Sequence, residues 1–133
     1  MPNNKYVILC VDDDPDILFS LKIVLESGGY AVVTAADGKA GVQAFRESRP
    51  DLVLLDLMME EIDAGTRALK EMQAIDRKVP VFLLSSTGDY LQGATDTNEL
   101  GLAGVFQKPV DPKILLGLLR AKLKPPEPVS WKR

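Results

Sequence analysis

The sequence predicts an α/β protein in which strands and helices alternate around one doubly wound parallel sheet. Short, continuously apolar segments such as 52–55 are typical of strands that are buried on both faces. Amphipathic segments of helical length separate these strands, as crossovers between parallel neighbours require. Five such β-α units with right-handed crossovers fit a chain of 133 residues, a length that suits one domain with a proper core.

Three strands and two helices are predicted in the first half of the chain. The strands are expected at about 5–11, 30–35 and 51–56. Asp14 can cap the first helix, and Pro15 stands in its first turn, where the missing N–H group does no harm. The glycines at 28–29 end this helix, and the second helix runs from 37–38 to 49–50.

The second half of the chain repeats the same alternation. A third helix carries apolar residues at helical spacing: Ala68, Leu69, Met72 and Ile75. Strands follow at 79–84 and 104–107, and between them a fourth helix is expected at 89–100, although its residues are weak helix formers. Asp111 and Pro112 begin a last helix that runs to about residue 124, and a proline-rich tail follows.

Composition excludes several classes of function. A net charge of −3 argues against a nucleic-acid-binding surface, and no apolar stretch approaches the roughly 18 residues of a membrane span. The first residues lack the layout of a signal peptide, so a cytoplasmic location is expected. Cys10 is the one cysteine and is expected to be a small buried apolar residue. Because histidine is absent, any histidine phosphoryl donor must be another molecule.

Polar side chains cluster where the predicted strands end. Asp12 and Asp13 follow the first strand, Asp56 ends the third, Ser85 follows the fourth and Lys108 follows the fifth. In an open parallel sheet these ends form one cleft. Converging carboxylates repel one another unless a cation or protons compensate them, and hard oxygen ligands suit Mg²⁺ or Mn²⁺. Such a pocket fits a phosphoryl group, whose oxygens the metal and the lysine neutralise while a carboxylate oxygen acts as nucleophile.

Four segments in this order resemble the receiver domain of two-component response regulators over residues 5–124. The segments are 8–15 (ILCVDDDP), 50–59 (PDLVLLDLMM), 80–85 (PVFLLS) and 108–109 (KP). The resemblance implies a flavodoxin-like five-stranded parallel sheet of order 2-1-3-4-5 with five helices. It divides the chain into a receiver domain at 1–124 and a proline-rich tail, or the start of a linker, at 125–133.

The resemblance also implies a magnesium site. Asp13 and Asp56 would bind Mg²⁺ directly, together with the backbone carbonyl of Met58, and Asp12 would act mainly through a bound water. Mg²⁺ tolerates so few protein ligands because it retains several waters in its octahedral shell.

The remaining roles concern the phosphoryl group. Asp56 would accept it from a phosphohistidine on a partner histidine kinase or phosphotransfer protein. Lys108 would pair with the Asp56 carboxylate and then with the phosphoryl oxygens, and Ser85 would turn to hydrogen-bond the group. The peptide bond between Lys108 and Pro109 would be cis.

The sequence departs from the family at the signalling surface. Val105 stands where the family usually carries Tyr or Phe, and Phe106 falls on the opposite strand face by alternation. We therefore hypothesise that signalling orders or shifts the loop after Ser85 and the residues 89–100. Equal hydrogen exchange at 89–100 with and without a phosphoryl mimic would contradict this hypothesis.

Partner surfaces are expected on the last helices. An output domain or protein would bind the face formed by the fourth helix, the fifth strand and the last helix. Surplus leucine and isoleucine in the last helix indicate either a partner or homodimer surface, or a helix that is packed deeply. Neither nucleic acid nor membrane is expected as a partner of this domain.

Two alternatives to a phosphoaccepting receiver remain. One is an aspartate-nucleophile phosphatase of the haloacid dehalogenase type, because Asp12 and Asp14 form Asp-x-Asp. That family requires Thr where Asp16 stands, and a late acidic pair that is missing here. The other is a pseudo-receiver that is not phosphorylated, which the chemically competent residues at all the functional positions disfavour. The favoured interpretation is a non-enzymatic receiver.

Overall fold

Five parallel strands form one sheet in the order β2-β1-β3-β4-β5 in the computed structural model of the protein. The structure describes residues 5–56, 64–85, 102–108 and 110–123. The strands are β1 (Val7–Val11), β2 (Ala31–Ala35), β3 (Leu52–Asp56), β4 (Val81–Ser85) and β5 (Gly104–Gln107). The helices in the described residues are α1 (Pro15–Ser27), α2 (Gly38–Ser48), α3 (Ala64–Ile75) and α4 (Pro112–Lys122). The predicted fold class and strand order are confirmed.

Parts of the sequence prediction fall outside the described residues. The helix expected at 89–100 is one of them, so α4 corresponds to the last of the five predicted helices. The carbonyl of Met58, the ring of Pro109 and the tail at 125–133 also lie outside the described residues.

Aspartate caps begin three of the helices. Asp14 accepts a hydrogen bond from the N–H of Asp16 at the start of α1, and Asp37 accepts one from Ala40 at the start of α2. Asp111 accepts hydrogen bonds from the N–H groups of Lys113 and Ile114 at the start of α4. A side-chain cap satisfies N–H groups that have no partner inside the helix. The predicted helix starts at Asp14 and Asp111 are confirmed.

β1 and β4 begin two residues later than predicted, whereas β2 and β3 begin one residue later. β1 begins at Val7 rather than Lys5, since the Val7 N–H donates to the Asp51 carboxylate (2.8 Å) instead of to a neighbouring strand. β4 begins at Val81 rather than Val79 and ends at Ser85. Pro80 has no N–H to donate, although its carbonyl accepts a hydrogen bond from Val53 (3.0 Å).

Apolar side chains fill both faces of the sheet. α2 and α3 cover one face, where Leu9, Val11, Val53 and Leu55 are buried. α1 and α4 cover the other, whose buried residues from strands and helices include Ile8, Cys10, Leu52, Leu54, Leu21, Leu25, Leu115 and Leu119. β1 and β3 are therefore apolar on both faces, as their continuous hydrophobic sequence predicts.

Successive residues of β5 pack on opposite faces of the sheet. Val105 is half-buried against the α2 and α3 side, whereas Phe106 is buried on the α1 and α4 side. The Phe106 ring lies against Phe82, with 5.4 Å between ring centroids and 36° between ring planes. The predicted placement of Phe106 is confirmed, and this ring belongs to the core.

Gly104 and Gly117 provide a matched pair of stability predictions. A Cβ at Gly104 would lie 2.8 Å from Cε2 of the buried Phe82 ring. A Cβ at Gly117, inside α4, would meet no atom of the described residues within 4 Å. Gly104→Ala should lower the free energy of unfolding by about 1–3 kcal/mol through overpacking. Gly117→Ala should raise it by about 0.5–1 kcal/mol, because alanine is the better helix former.

Urea unfolding of both variants at low protein concentration measures this difference. Equal changes in the two variants would contradict the close approach of β5 to Phe82.

Candidate functional site

The sheet brings the predicted polar residues to one edge. Asp12 directly follows β1, Asp56 is the last residue of β3, Ser85 is the last residue of β4, and Lys108 directly follows β5. Because all four strands are parallel, these ends lie side by side. Carboxylate oxygens of Asp12, Asp13 and Asp56 all lie within 4.8 Å of one another. The predicted convergence of the acidic residues is therefore observed.

Most of this cluster is withdrawn from water. Asp12, Asp56 and Ser85 are buried, and Asp13 is exposed at the surface. Two buried carboxylates and a third nearby repel one another strongly unless positive charge compensates them. The site therefore requires cations, and its exposed side leaves a route for one to enter.

Lys108 supplies one of these positive charges. Its Nζ lies 2.9 Å from Asp12 Oδ2 and 3.3 Å from Asp56 Oδ2, so a single ammonium group bridges the two buried carboxylates. Burial alone would lower the pKa of Lys108, but the contacts with Asp12 and then Asp56 raise it above its ordinary value. The lysine is consequently protonated over the physiological range.

One carboxylate oxygen in the cluster can accept a further hydrogen bond. Asp12 Oδ2 is fully buried, and no group of the described residues makes a hydrogen bond of good geometry to it, despite the short ionic contact with Lys108. A buried oxygen of this kind is costly unless it meets a donor. A hydrated divalent cation fits the site, because its water ligands can donate to Asp12 while neighbouring carboxylates bind the metal.

Backbone hydrogen bonds hold the site residues in place. Asp12 Oδ1 accepts a hydrogen bond from the N–H of Asp14 (2.9 Å), and the Asp12 N–H donates to the carbonyl of Ala35 on β2 (3.1 Å). The Lys108 N–H donates to the carbonyl of Ser85 (2.7 Å). The bonds of Asp12 orient its carboxylate. The bond between Lys108 and Ser85 joins the ends of β4 and β5, so it fixes the backbone positions of both residues relative to each other.

The sequence predicted that these polar residues lie at one edge of the sheet, but it missed one contact between them. The ion pair of Lys108 with Asp12 is shorter than its pair with Asp56, which was the expected partner. Lys108 follows β5 and Asp12 follows β1, and two strands lie between them. No sequence signal reports how far a lysine reaches across a sheet.

Cys10 lies in the core beside the site and is not part of it. The residue is fully buried in β1, and burial, together with the nearby Asp12 charge, raises the pKa of its thiol to about 12. The thiol therefore stays protonated, as a small apolar residue would, and the sequence prediction for Cys10 is confirmed.

Comparison with known proteins points to a single family. The chain matches the family described as "Response regulator receiver domain" over residues 8–120. It is 38% identical over 120 residues to the probable transcriptional regulator ycf27 of Guillardia theta, covering 90% of this chain and 46% of that protein. It is also 38% identical over 124 residues to the DNA-binding response regulator MtrA of Mycolicibacterium smegmatis, covering 93% of this chain and 53% of that one. The chain thus spans about half the length of these two relatives.

Solved structures give the same result. A response regulator receiver domain protein from Clostridium thermocellum superimposes with a TM-score of 0.78 at 30% identity, covering 87% of this chain and 92% of that chain. The chemotaxis protein CheY4 of Vibrio cholerae also has a TM-score of 0.78, at 26% identity, covering 88% of this chain and 98% of that chain. In the part of the chain that the structure describes, no helix is both long and apolar enough to cross a bilayer.

Proposed function

Since this chain belongs to the response regulator receiver domain family of two-component signalling, we propose that Asp56 accepts a phosphoryl group from a phosphohistidine. The donor is a histidine kinase or a phosphotransfer protein, because the chain contains no histidine of its own. The product is an aspartyl phosphate at the edge of the sheet, and the altered surface then changes which partner binds.

One observation supports this proposal above the others. Lys108 bridges two buried carboxylates at 2.9 and 3.3 Å, and a third carboxylate lies within 4.8 Å. A cation held beside a buried carboxylate suits a reaction in which that carboxylate accepts a phosphoryl group, because the cation can neutralise the phosphoryl oxygens. An ordinary structural ion pair does not require two additional acids at the same point.

The residues present fit Mg²⁺. Asp13 and Asp56 would bind the ion, with the carbonyl of Met58 as a further ligand, and Asp12 would hold one of its waters. When bound, the ion neutralises charge on the carboxylates and on the incoming phosphoryl oxygens. Asp13 lies at the exposed side of the cluster, where it can exchange ligands with solvent.

Lys108 and Ser85 act on the phosphoryl group itself. As the Asp56 oxygen attacks phosphorus, the bond from phosphorus to the donor histidine breaks. The Lys108 ammonium can then transfer its contact from the carboxylate to a phosphoryl oxygen. The buried Ser85 hydroxyl, one strand away from Asp56, donates a hydrogen bond to the same group.

Acetyl phosphate tests this proposal without knowledge of the natural donor. Incubation with acetyl phosphate and Mg²⁺ should raise the intact mass by one phosphoryl group, and a chelator should prevent the gain. Protein that gains no mass with Mg²⁺ would instead be a pseudo-receiver. Sustained turnover of a generic phosphate ester would favour the phosphatase alternative.

Several broader features accompany the proposal. Residues 1–124 form the receiver unit, in keeping with the end of α4 at Lys122, and residues 125–133 are a proline-rich tail or the start of a linker. An output domain or protein binds the face that includes β5 and α4. The receiver unit itself does not turn over substrate and contacts neither nucleic acid nor membrane. We propose that the reaction takes place in the cytoplasm.

A further inference from the structure

A continuous series of contacts joins the beginning of α1 to the buried site. The carboxylate of Asp14 accepts a hydrogen bond from the N–H of Asp16 (2.9 Å), and the N–H of Asp14 donates to Asp12 Oδ1 (2.9 Å). Asp12 Oδ2 lies 2.9 Å from Lys108 Nζ, which in turn lies 3.3 Å from Asp56 Oδ2. Because Asp14 is exposed and Asp12 is fully buried, the series runs from the surface of the protein into the site.

The orientation of the Asp12 carboxylate depends on the N–H of Asp14. The terminal torsion of an aspartate side chain has broad minima, so the side chain alone does not fix the direction of each oxygen. Asp12 is 0% exposed, and bulk water therefore cannot replace a hydrogen-bond donor that Oδ1 loses. With Oδ1 held by the Asp14 N–H, Oδ2 is the oxygen that faces Lys108.

The first turn of α1 holds the backbone of Asp14. Its carbonyl accepts hydrogen bonds from the N–H groups of Ile17 (3.1 Å) and Leu18 (3.2 Å), and its carboxylate caps the helix. The Asp14 backbone is extended, with φ −95° and ψ 111°, which is the conformation that Pro15 favours in the residue before it. Without the cap, the proline and a weakened first turn alone would hold Asp14, and the direction of its N–H would vary.

The carboxylate of Asp14 is placed for capping rather than for binding a metal ion. Among the described residues, the carboxylates that lie within 4.8 Å of one another are those of Asp12, Asp13 and Asp56. The Asp14 carboxylate is exposed and accepts its hydrogen bond from the helix, and water and salt screen the attraction of an exposed charge for a cation. Any effect of Asp14 on the metal site should therefore come from geometry, through Asp12.

We propose that Asp14 is a positioning residue for the magnesium site: by capping α1 it directs its own N–H at Asp12 Oδ1, and Asp12 in this orientation holds a water of Mg²⁺. The inference rests on the magnesium site of the proposed function and assigns no contact between Asp14 and the ion. Groups that orient a metal ligand typically change metal affinity by about 10- to 100-fold. Asp14 acts one step further from the ion, so we expect a change of about three- to tenfold.

Titration of the full chain with MgCl₂, followed by amide NMR without any phosphoryl donor, measures this change. Asp14→Ala should raise the Kd for Mg²⁺ about three- to tenfold. Asp14→Asn should stay within about twofold of the wild type, because asparagine caps helices as well as aspartate does. Asp37→Ala is the matched control and should leave the Kd unchanged, since Asp37 also caps a helix but accepts its hydrogen bond from Ala40 (2.7 Å) at the start of α2.

Hydrogen exchange gives a second readout that involves neither metal nor phosphoryl group. With a chelator present, the N–H of residue 14 should lose about tenfold of its protection in Asp14→Ala and keep its protection in Asp14→Asn. A tenfold change corresponds to about 1.4 kcal/mol, which is the size of a typical cap contribution. Circular dichroism confirms that the variants are folded.

The outcomes separate this inference from the proposed function. Wild-type protein that binds no Mg²⁺ would overturn both the metal site and the role of Asp14. Wild-type binding together with an unchanged Kd in Asp14→Ala would overturn the role of Asp14 alone. Equal weakening in Asp14→Ala and Asp14→Asn would assign the effect to charge, and equal weakening in Asp37→Ala would assign it to a general loss of stability. Either of these two results would also overturn the inference.

Discussion

Asp56→Asn should lower the rate of phosphorylation by acetyl phosphate by at least about a thousandfold, because the amide lacks the nucleophilic oxygen that the carboxylate supplies. Intact mass spectrometry measures the result as the loss of the mass gain that the wild type shows with Mg²⁺. The side chain keeps its size and its place at the end of β3. The site therefore loses one negative charge but almost keeps its shape. Because the shape of the site changes so little, the loss of phosphorylation can be attributed to the missing nucleophilic oxygen.

Asp56→Asn should not lose stability, so its loss of phosphorylation can be distinguished from a loss of folding. Asp56 is buried beside Asp12, and the ammonium of Lys108 lies within ion-pair distance of both carboxylates. Removing one of two repelling carboxylates should leave the free energy of unfolding unchanged or raise it by about 1 kcal/mol. Asp37→Asn is a matched control, because asparagine also caps helices and α2 lies outside the site. A mass gain that persists in Asp56→Asn would refute the assignment of this residue.

Lys108→Met should produce the second large effect, on both stability and phosphorylation. Methionine keeps much of the apolar stem but removes the ammonium that lies 2.9 Å from Asp12 and 3.3 Å from Asp56. Unpairing buried charges costs about 3–5 kcal/mol. Because Lys108 is partly exposed, we expect a loss of about 2 kcal/mol in the free energy of unfolding with a chelator present. Phosphorylation should slow by about ten- to a hundredfold, since a cation near the phosphoryl oxygens is lost.

Mg²⁺ should restore more stability to Lys108→Met than to the wild type. The variant pocket is more negative, so it binds a divalent cation more tightly, and binding to the folded state alone stabilises that state. Urea unfolding with chelator and with Mg²⁺ measures the difference, and Lys39→Met controls for loss of an exposed lysine. An equal response to Mg²⁺ in the variant and the wild type would argue that Lys108 and the metal do not share a site.

The fold could be predicted because its signals are local. Asp14 with Pro15, and Asp111 with Pro112, identify helix starts through short-range hydrogen bonds that depend on neighbouring residues alone. The site could be predicted because strand ends of a parallel sheet lie together, whatever the details of packing. Contacts between distant residues could not be predicted in the same way. The hydrogen bond from Val7 to Asp51, and the short ion pair of Lys108 with Asp12, depend on reach and register.

The support of Lys108 by the end of β4 has a consequence for partial denaturation. β5 has four residues, borders the sheet and pairs with β4 alone among the described strands. Border strands open at lower free energy than the centre of a fold. Detachment of β5 would carry Lys108 away and also break the hydrogen bond from its N–H to the carbonyl of Ser85, the last residue of β4. As the denaturant concentration rises, the protein should therefore lose its capacity to be phosphorylated while β1 and β3 are still folded.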